Sequence, residues 1–301
     1  MVSKRSDAVK DYWRSMTEAS SPDEGAEEIR ERVERHWGGL TAEPGGVDYL
    51  EIEVAGLPAL WAVPKGSAEN RVILGLHGGG FVSGSVYTHR KLFGHLAKAV
   101  GARALLTDYR QTPAYSHPAP LEDTTAAYRW LLDQGVDAGH IAVAGDSSGG
   151  GLSVATMLRA RELGLPTAAA VMLISPWVDM TVSNPTYESN RETEEFFYKE
   201  VVAALAGMFL GDTDPRDPLA SPLYADLSGL PPTYIQVGGD ETMLGESLQL
   251  EENAREAGVD LRLDVFPGQS HTFQMAAGHA PESDDAIGRL AAWVRPRLGL
   301  T

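Results

Sequence analysis

Three short segments carry residue types that together could perform nucleophilic catalysis on an acyl group. The first, Gly145-Asp146-Ser147-Ser148-Gly149, lies between an apolar segment typical of a strand and a segment typical of a helix. Glycines two residues to either side let the chain turn sharply and lift the serine hydroxyl clear of a sheet. The following helix points its positive end toward that hydroxyl. The pattern therefore predicts that Ser147 is a nucleophile at a strand–turn–helix elbow.

The second segment, HGGGF at residues 77–81, directly follows the apolar residues VILGL. Consecutive glycines allow backbone N–H groups to converge on an oxyanion without interference from side chains. We predict three backbone donors: Gly79, Gly80 and Ser148, the residue after the nucleophile. A phosphate-binding loop is disfavoured because neither of the common glycine-rich phosphate motifs is present. His77 is expected to orient this loop and not to act as a base.

The third segment supplies a candidate base and a candidate acid. Among the eight histidines, His271 follows the predicted strand LRLDVF in a loop near the end of the chain. The loop after the preceding predicted strand contains two adjacent carboxylates, Asp240 and Glu241. Either could orient an imidazole, so the chemistry does not choose between them. The resulting chain order, serine then acid then histidine, is the order expected of an α/β-hydrolase.

The predicted elements give these segments a common scaffold. Apolar segments typical of strands lie at 72–76, 104–107, 141–144, 170–174, 233–237 and 261–266, and helical periodicity separates most of them. Apolar strands that alternate with helices predict an α/β fold with a mostly parallel sheet and helices on both faces. Alternating residues from position 47 predict a hairpin ahead of this sheet.

Helical segments precede and interrupt this alternation. Apolar residues recur at helical spacing near the N-terminus, and residues 21–24 predict a capping box that begins a second helix. Residues 177–232 contain no convincing strand and predict a helix over 194–210. Such an insertion usually lies above the carboxyl ends of the strands, where ligands bind. We predict a helical cap from residues 1–45 and 177–220, on a catalytic core from 46–176 and 221–301.

Composition excludes several other classes of function. The 301 residues contain no cysteine, which excludes disulfide frameworks, thiolate metal sites and cysteine nucleophiles. The chain has 25 Lys and Arg against 42 Asp and Glu, and a net charge of −17 disfavours binding to nucleic acid or to a membrane surface. No secretory signal or membrane-spanning run is recognised, so a cytoplasmic protein is expected.

Taken together, the motifs HGGGF, DYR-x-x-P at 108–113, GDSSGG, SPW at 175–177, DE-x-x-L and the late histidine resemble the hormone-sensitive-lipase-like bacterial esterases. The resemblance covers about residues 47–298 and is nearest to the branch of monoterpene lactone hydrolases and heroin-type esterases. It implies a capped α/β-hydrolase that acts on small apolar esters without a metal or cofactor. Alignment with the family's sequence blocks implies Glu241 as the acid, although many relatives have Asp in this loop and Asp240 stays the alternative. Ser148 replaces the family's more frequent Ala and leaves the backbone donor intact.

Apolar residues of the insertion, of the HGGGF segment and of the N-terminal helical segment are candidates for the substrate pocket. They are Phe81, Trp177, Phe197 and Met208, with Trp37, Phe196, Phe209 and Leu210 as further candidates. An exposed edge strand at 261–266 could pair with a second copy to form a homodimer.

Other readings of the same motifs are weaker. GDSSGG is similar to a trypsin-like motif, but the chain has no cysteine pairs and Ser147 stands near its middle. Lactone opening and amide or N-acetyl cleavage are alternatives on the same triad. A small-molecule binding protein on this scaffold is the non-enzymatic alternative, and the presence of serine, acid and histidine together disfavours it.

Overall fold

The computed structural model describes residue 3, residues 6–19 and residues 25–301. The predicted capping box at 21–24 lies outside these residues. Helices in the described part of the chain are α1 (Asp7–Ala19), α2 (Ala26–His36), α3 (Val86–Val100), α4 (Ala119–Asp133), α5 (Ser148–Glu162), α6 (Thr186–Ser189), α7 (Lys199–Leu210), α8 (Leu244–Glu256) and α9 (Pro281–Val294). The strands are β1 (Val47–Val54), β2 (Leu57–Pro64), β3 (Val72–Leu76), β4 (Arg103–Thr107), β5 (Ile141–Asp146), β6 (Ala170–Ile174), β7 (Thr233–Gly238) and β8 (Leu261–Phe266).

All eight strands form one sheet in the order β1-β2-β4-β3-β5-β6-β7-β8. The β1–β2 hairpin is antiparallel and joins β4 in antiparallel register, whereas the strands from β4 to β8 run parallel. Every residue of β3, β5, β6 and β7 is buried, which requires helices on both faces of the sheet. The predicted α/β fold is therefore confirmed. Strand β8 lies at the sheet edge, where pairing with a second copy stays a prediction.

The inserted helix begins later than its periodicity predicts. Helix α7 starts at Lys199, and Glu194 instead begins an irregular turn. The buried carboxylate of Glu194 accepts hydrogen bonds from the backbone N–H groups of residues 195–197 and of Thr242. This carboxylate therefore satisfies the N–H groups that a helix would leave free in its first turn. The prediction of a helix from residue 194 is wrong for that reason.

A buried carboxylate joins the insertion to the core. Glu246, at the start of α8, accepts hydrogen bonds from the backbone N–H groups of Val178 at 2.8 Å and Asp179 at 3.0 Å. Its other oxygen accepts a hydrogen bond from the Tyr187 hydroxyl at 2.5 Å. Burial raises the pKa of Glu246 to about 8.

None of the described helices is both long and apolar enough to cross a bilayer.

Replacing Glu246 with Ala is expected to lower the free energy of unfolding by about 3–5 kcal/mol, because three buried donors lose their acceptor. Urea denaturation would measure this loss. Glu246→Gln keeps one acceptor oxygen and should lose less. Glu252→Ala, an exposed substitution on the same helix, should change stability by less than about 0.5 kcal/mol. Equal losses in the Glu246 and Glu252 variants would contradict the assignment.

Candidate active site

Ser147 occupies the tight turn between β5 and α5. Its backbone has φ +51° and ψ −121°, an unusual conformation for a residue with a side chain. A Cβ atom at Gly149 would lie 2.1 Å from the carbonyl oxygen of Leu76, and one at Gly145 would lie 2.2 Å from the carbonyl oxygen of Gly149. Both flanking glycines are therefore required by close backbone approach, as the motif predicts.

His271 and Glu241 form a buried pair. His271 Nδ1 lies 3.1 Å from Glu241 Oε2, and both residues are 1% exposed. Burial disfavours the charged imidazolium, but the Glu241 carboxylate outweighs burial and raises the pKa of His271. Within the part of the chain that the structure describes, His271 Nε2 has no hydrogen-bond partner. One ring nitrogen is thus held by the acid and the other is available for proton transfer.

The end of β6 brings the histidine loop to the serine. The backbone N–H of Ser147 donates to the carbonyl oxygen of Ile174 at 2.9 Å. The hydroxyl of the next residue, Ser175, accepts a hydrogen bond from the backbone N–H of Thr272 at 3.2 Å. The elbow and the loop that carries His271 are therefore attached to adjacent residues at the carboxyl end of β6.

Asp240, the alternative acid, has a different environment from Glu241. Its carboxylate forms an ion pair with Lys10 of α1, and its side chain is 23% exposed. It makes no hydrogen bond to His271 among the described residues. The geometry thus favours Glu241, the residue that the family alignment implies, as the partner of the histidine.

The HGGGF segment forms a loop that contacts the elbow. Gly79 and Gly80 have φ values of +124° and +63°, and a Cβ atom at Gly79 would lie 2.0 Å from the carbonyl oxygen of Ser83. The N–H of Gly78 donates to Asp146 Oδ1 at 3.0 Å, and the N–H of Gly80 donates to Ser148 Oγ at 3.1 Å. Two contacts from the elbow therefore fix a loop that has almost no side chains of its own.

His77 supports this loop as an uncharged residue. Its ring stacks on Tyr109 with 4.3 Å between ring centroids, and its Nδ1 lies 2.8 Å from the carbonyl oxygen of Gly78. Burial lowers the pKa of His77 to about 3. Behind it, His89 Nε2 lies 3.3 Å from Asp146 Oδ2. His89 was not predicted to contribute to the site, and the sequence feature that could have indicated it is its place in the helix that follows HGGGF.

A cavity of about 670 Å³ lies against the glycine loop and is mainly apolar. It is lined by Trp13, Met16, Ile29, Arg32, Val33, Trp37, Gly79, Gly80, Val82, Ser83, Phe196, Phe197, Glu200, Val201, Ala204, Leu205 and Met208. The walls come from α1, α2, α7 and the turn before α7, so both regions predicted as a cap contribute. Among residues 6–19 and 25–301, no group of three or more His, Asp or Glu side chains could hold a metal ion.

The predicted pocket residues divide into two groups. Phe197 and Met208 line the cavity, as do Trp37 and Phe196. Phe81 and Trp177 are outside its wall: the Phe81 ring stacks on Phe209 with 3.7 Å between centroids, and Trp177 lies 5.6 Å from Phe81. These rings pack against one another behind the glycine loop, which leaves them 1–2% exposed. Leu210 is also absent from the lining.

Helix α1 contacts the histidine loop directly. The indole N–H of Trp13 donates to the carbonyl oxygen of His271 at 3.1 Å, and the Trp13 ring packs on Phe196 and Phe197. Phe197 in turn lies 4.3 Å from the His271 ring. The apolar helical spacing near the N-terminus includes Trp13, but the sequence predicted no role for this residue at the site. Periodicity shows which face of a helix is buried, and the surface that covers it depends on tertiary structure.

Comparison with known proteins agrees with this architecture. Residues 73–275 match the family model Abhydrolase_3, described as the alpha/beta hydrolase fold. An acetyl-hydrolase of Streptomyces hygroscopicus is 36% identical over 269 residues, which cover 89% of this chain and 88% of that protein. An esterase of Acinetobacter venetianus is 32% identical over 246 residues, which cover 81% of each chain.

A solved structure extends the match over nearly the whole chain. The crystal structure of an esterase from the bacterial hormone-sensitive lipase family superposes with a TM-score of 0.95 at 40% identity and covers 99% of this chain and 100% of that one. The family that the sequence motifs resemble is therefore confirmed. This chain belongs to the bacterial hormone-sensitive lipase family of esterases, within the alpha/beta hydrolase fold.

Proposed function

We propose that this esterase cleaves short-chain acyl esters through a covalent acyl-enzyme on Ser147. The observation that carries the proposal is the buried His271–Glu241 pair. The loop that carries His271 and the strained serine elbow are both hydrogen-bonded to the carboxyl end of β6. A buried acid–histidine pair with one unoccupied ring nitrogen is the arrangement that activates a serine hydroxyl. Only a serine, a base, an acid and water are needed for the reaction.

In the proposed mechanism His271 Nε2 accepts the proton of Ser147 as the hydroxyl oxygen attacks the ester carbonyl carbon. The carbonyl oxygen becomes an oxyanion that the N–H groups of Gly79, Gly80 and Ser148 stabilise, each by about 3 kcal/mol. The tetrahedral intermediate then expels the alcohol, which takes its proton from His271. Water, deprotonated by His271, attacks the acyl-enzyme, and the second tetrahedral intermediate releases the acid as the Ser147 oxygen takes the proton back from His271. Glu241 holds the imidazole and stabilises its charged form in both steps.

The cavity supports a substrate class of small apolar esters. Its volume of about 670 Å³ lies within the range of about 300–1,000 Å³ that suits a drug-sized ligand. Both halves of an ester must share this space beside Gly79 and Gly80, so we propose that kcat/KM falls as the acyl chain lengthens. The acetyl-hydrolase name of the Streptomyces relative makes acetyl esters and N-acetyl groups the first substrates to compare. We also propose lactones for testing, because the narrower motif resemblance is to lactone hydrolases and heroin-type esterases.

Hydrolysis of p-nitrophenyl acetate, butyrate, octanoate and palmitate tests the proposal. We expect kcat/KM to be highest for acetate or butyrate and lowest for palmitate, because the cavity walls limit the acyl chain. Met208→Ala would enlarge the cavity and should shift the acyl-chain preference toward octanoate. Leu248 is exposed and does not line the cavity, so the control variant Leu248→Ala should leave the preference unchanged. A wild-type profile that peaks at palmitate would contradict the proposed substrate class.

A further inference from the structure

One of the three proposed oxyanion donors already has an acceptor in the free protein. The N–H of Gly80 donates to Ser148 Oγ at 3.1 Å, and this contact is buried. An N–H group carries one hydrogen, so a hydrogen that points at Ser148 is not fully available to a substrate oxygen. The same residue, Ser148, would thus offer the oxyanion its backbone N–H while its side chain occupies a second donor.

The Ser148 hydroxyl also lies beside the hydroxyl of Tyr109. Burial raises the pKa of Tyr109, and hydrogen bonding with Ser148 partly offsets that rise, so the two hydroxyl groups interact. The Tyr109 hydroxyl donates to the carbonyl oxygen of His77 at 2.8 Å, which leaves its oxygen to accept the hydrogen of Ser148. Donation from Ser148 to that oxygen would leave the Ser148 lone pairs free to accept from Gly80.

The surroundings of Gly80 and Ser148 offer no replacement for their hydrogen bond when Gly80 donates to an oxyanion instead. Gly80 lies at φ +63°, and a Cβ atom there would lie 2.9 Å from Leu205 Cδ1 on the cavity wall. Ser148 is 0% exposed, so water cannot replace Gly80 as the donor to its hydroxyl. Transfer of the Gly80 N–H to an oxyanion would leave the Ser148 oxygen buried with one partner fewer. That loss has a free-energy cost which is paid only in the transition state.

From these contacts we infer that the Ser148 hydroxyl masks the Gly80 oxyanion donor and so restrains the rate of acylation. This inference rests on the proposed serine mechanism. Ser148 acts here as a positioning residue through Gly80, apart from the role of its own backbone N–H. The hydrogen bond from Gly80 to Ser148 stabilises the free protein. It also reduces how much more tightly the site binds the transition state than the substrate. Stability and activity should therefore respond in opposite directions when the hydroxyl is removed.

The test is Ser148→Ala, which keeps the backbone donor and removes only the competing acceptor. We expect kcat/KM for p-nitrophenyl acetate to rise about three- to tenfold, the factor that corresponds to one neutral hydrogen bond. A trifluoromethyl ketone, whose adduct with Ser147 carries an oxyanion, should bind tighter by a similar factor. The thermal midpoint of the free protein should fall by about 1–4 °C because a buried hydrogen bond is lost.

Matched variants separate this effect from general loosening of the site. Ser153 lies in the same helix, is 0% exposed, and donates to the carbonyl oxygen of Gly149 at 2.7 Å. Ser153→Ala should also lower the thermal midpoint but leave kcat/KM and inhibitor binding unchanged. Ser148→Cys keeps a side-chain hydrogen-bonding group that is a weaker acceptor, and it should give an intermediate gain. This second variant keeps the test open if Ser148→Ala fails to fold.

Two results would overturn the inference: a folded Ser148→Ala protein with unchanged or lower kcat/KM, or an equal gain in Ser153→Ala. Neither result would affect the proposed mechanism, which is judged separately by loss of activity in Ser147→Ala. If Ser147→Ala retained full activity, the proposed function itself would fail.

Discussion

Ser147→Ala is expected to lower kcat for p-nitrophenyl acetate by about 10⁴- to 10⁶-fold, the range typical of removing a serine nucleophile. The substitution removes the attacking oxygen and leaves the glycine loop, the cavity and the His271–Glu241 pair in place. The thermal midpoint should stay within about 2 °C of wild type, since the hydrogen bonds that Ser147 makes to other described residues come from its backbone.

Covalent labelling provides an independent control for this variant. Diethyl p-nitrophenyl phosphate should phosphorylate the Ser147 oxygen and release p-nitrophenol, and the mass increase should map to the peptide that contains Ser147. The Ser147→Ala protein should gain no mass under the same conditions. Labelling of that variant at another serine, or retained hydrolysis, would rule out the elbow as the site of chemistry.

Glu241→Gln is expected to lower kcat by about 10³- to 10⁴-fold. An amide at this position cannot stabilise the imidazolium and can donate a hydrogen to His271 Nδ1, which favours the wrong tautomer. Asp240→Asn is the matched control, because Asp240 pairs with Lys10 and is not bonded to His271. That variant should keep activity within about threefold of wild type. The reverse pattern would make Asp240 the acid.

The pH profile of the same variants tests the electrostatics of the pair. His271 must be neutral to accept a proton, so kcat/KM falls as the pH drops through its pKa. Glu241 raises that pKa above the usual value near 6.5, which places the acid limb of the wild-type profile above pH 6.5. Without the Glu241 carboxylate, burial is the largest effect on His271 and lowers its pKa. The acid limb of the activity that remains in Glu241→Gln should therefore move to lower pH. A limb that does not move would contradict the coupling.

Local steric rules made much of the fold and the serine predictable from sequence. Elements β3 and β6 have the predicted bounds because short apolar segments between helices form buried parallel strands, and the partly exposed edge strand β8 also has its predicted bounds. Gly145 and Gly149 are needed because a Cβ atom at either would lie about 2 Å from a backbone oxygen. Such constraints act over a few residues, so a sequence pattern records them directly.

The choice between neighbouring groups was decided by tertiary structure. Asp240 and Glu241 are adjacent and chemically equivalent as acids, yet Lys10 from a helix 230 positions away binds the first and His271 binds the second. The start of α7 likewise depends on Glu194, whose carboxylate reaches Thr242 as well as its own turn.

The sequence by itself determined the fold class, the serine elbow and the candidate donors of the glycine loop, because each follows from local backbone geometry. Tertiary structure decided which acid meets the histidine, which aromatic rings line the cavity, and that Ser148 occupies the N–H of Gly80. Those outcomes depend on contacts between distant segments: Gly80 and Ser148 are 68 positions apart in the chain, and Lys10 and Asp240 are 230 positions apart. Residue spacing carries no record of such contacts, since they arise only when the sheet brings the segments together.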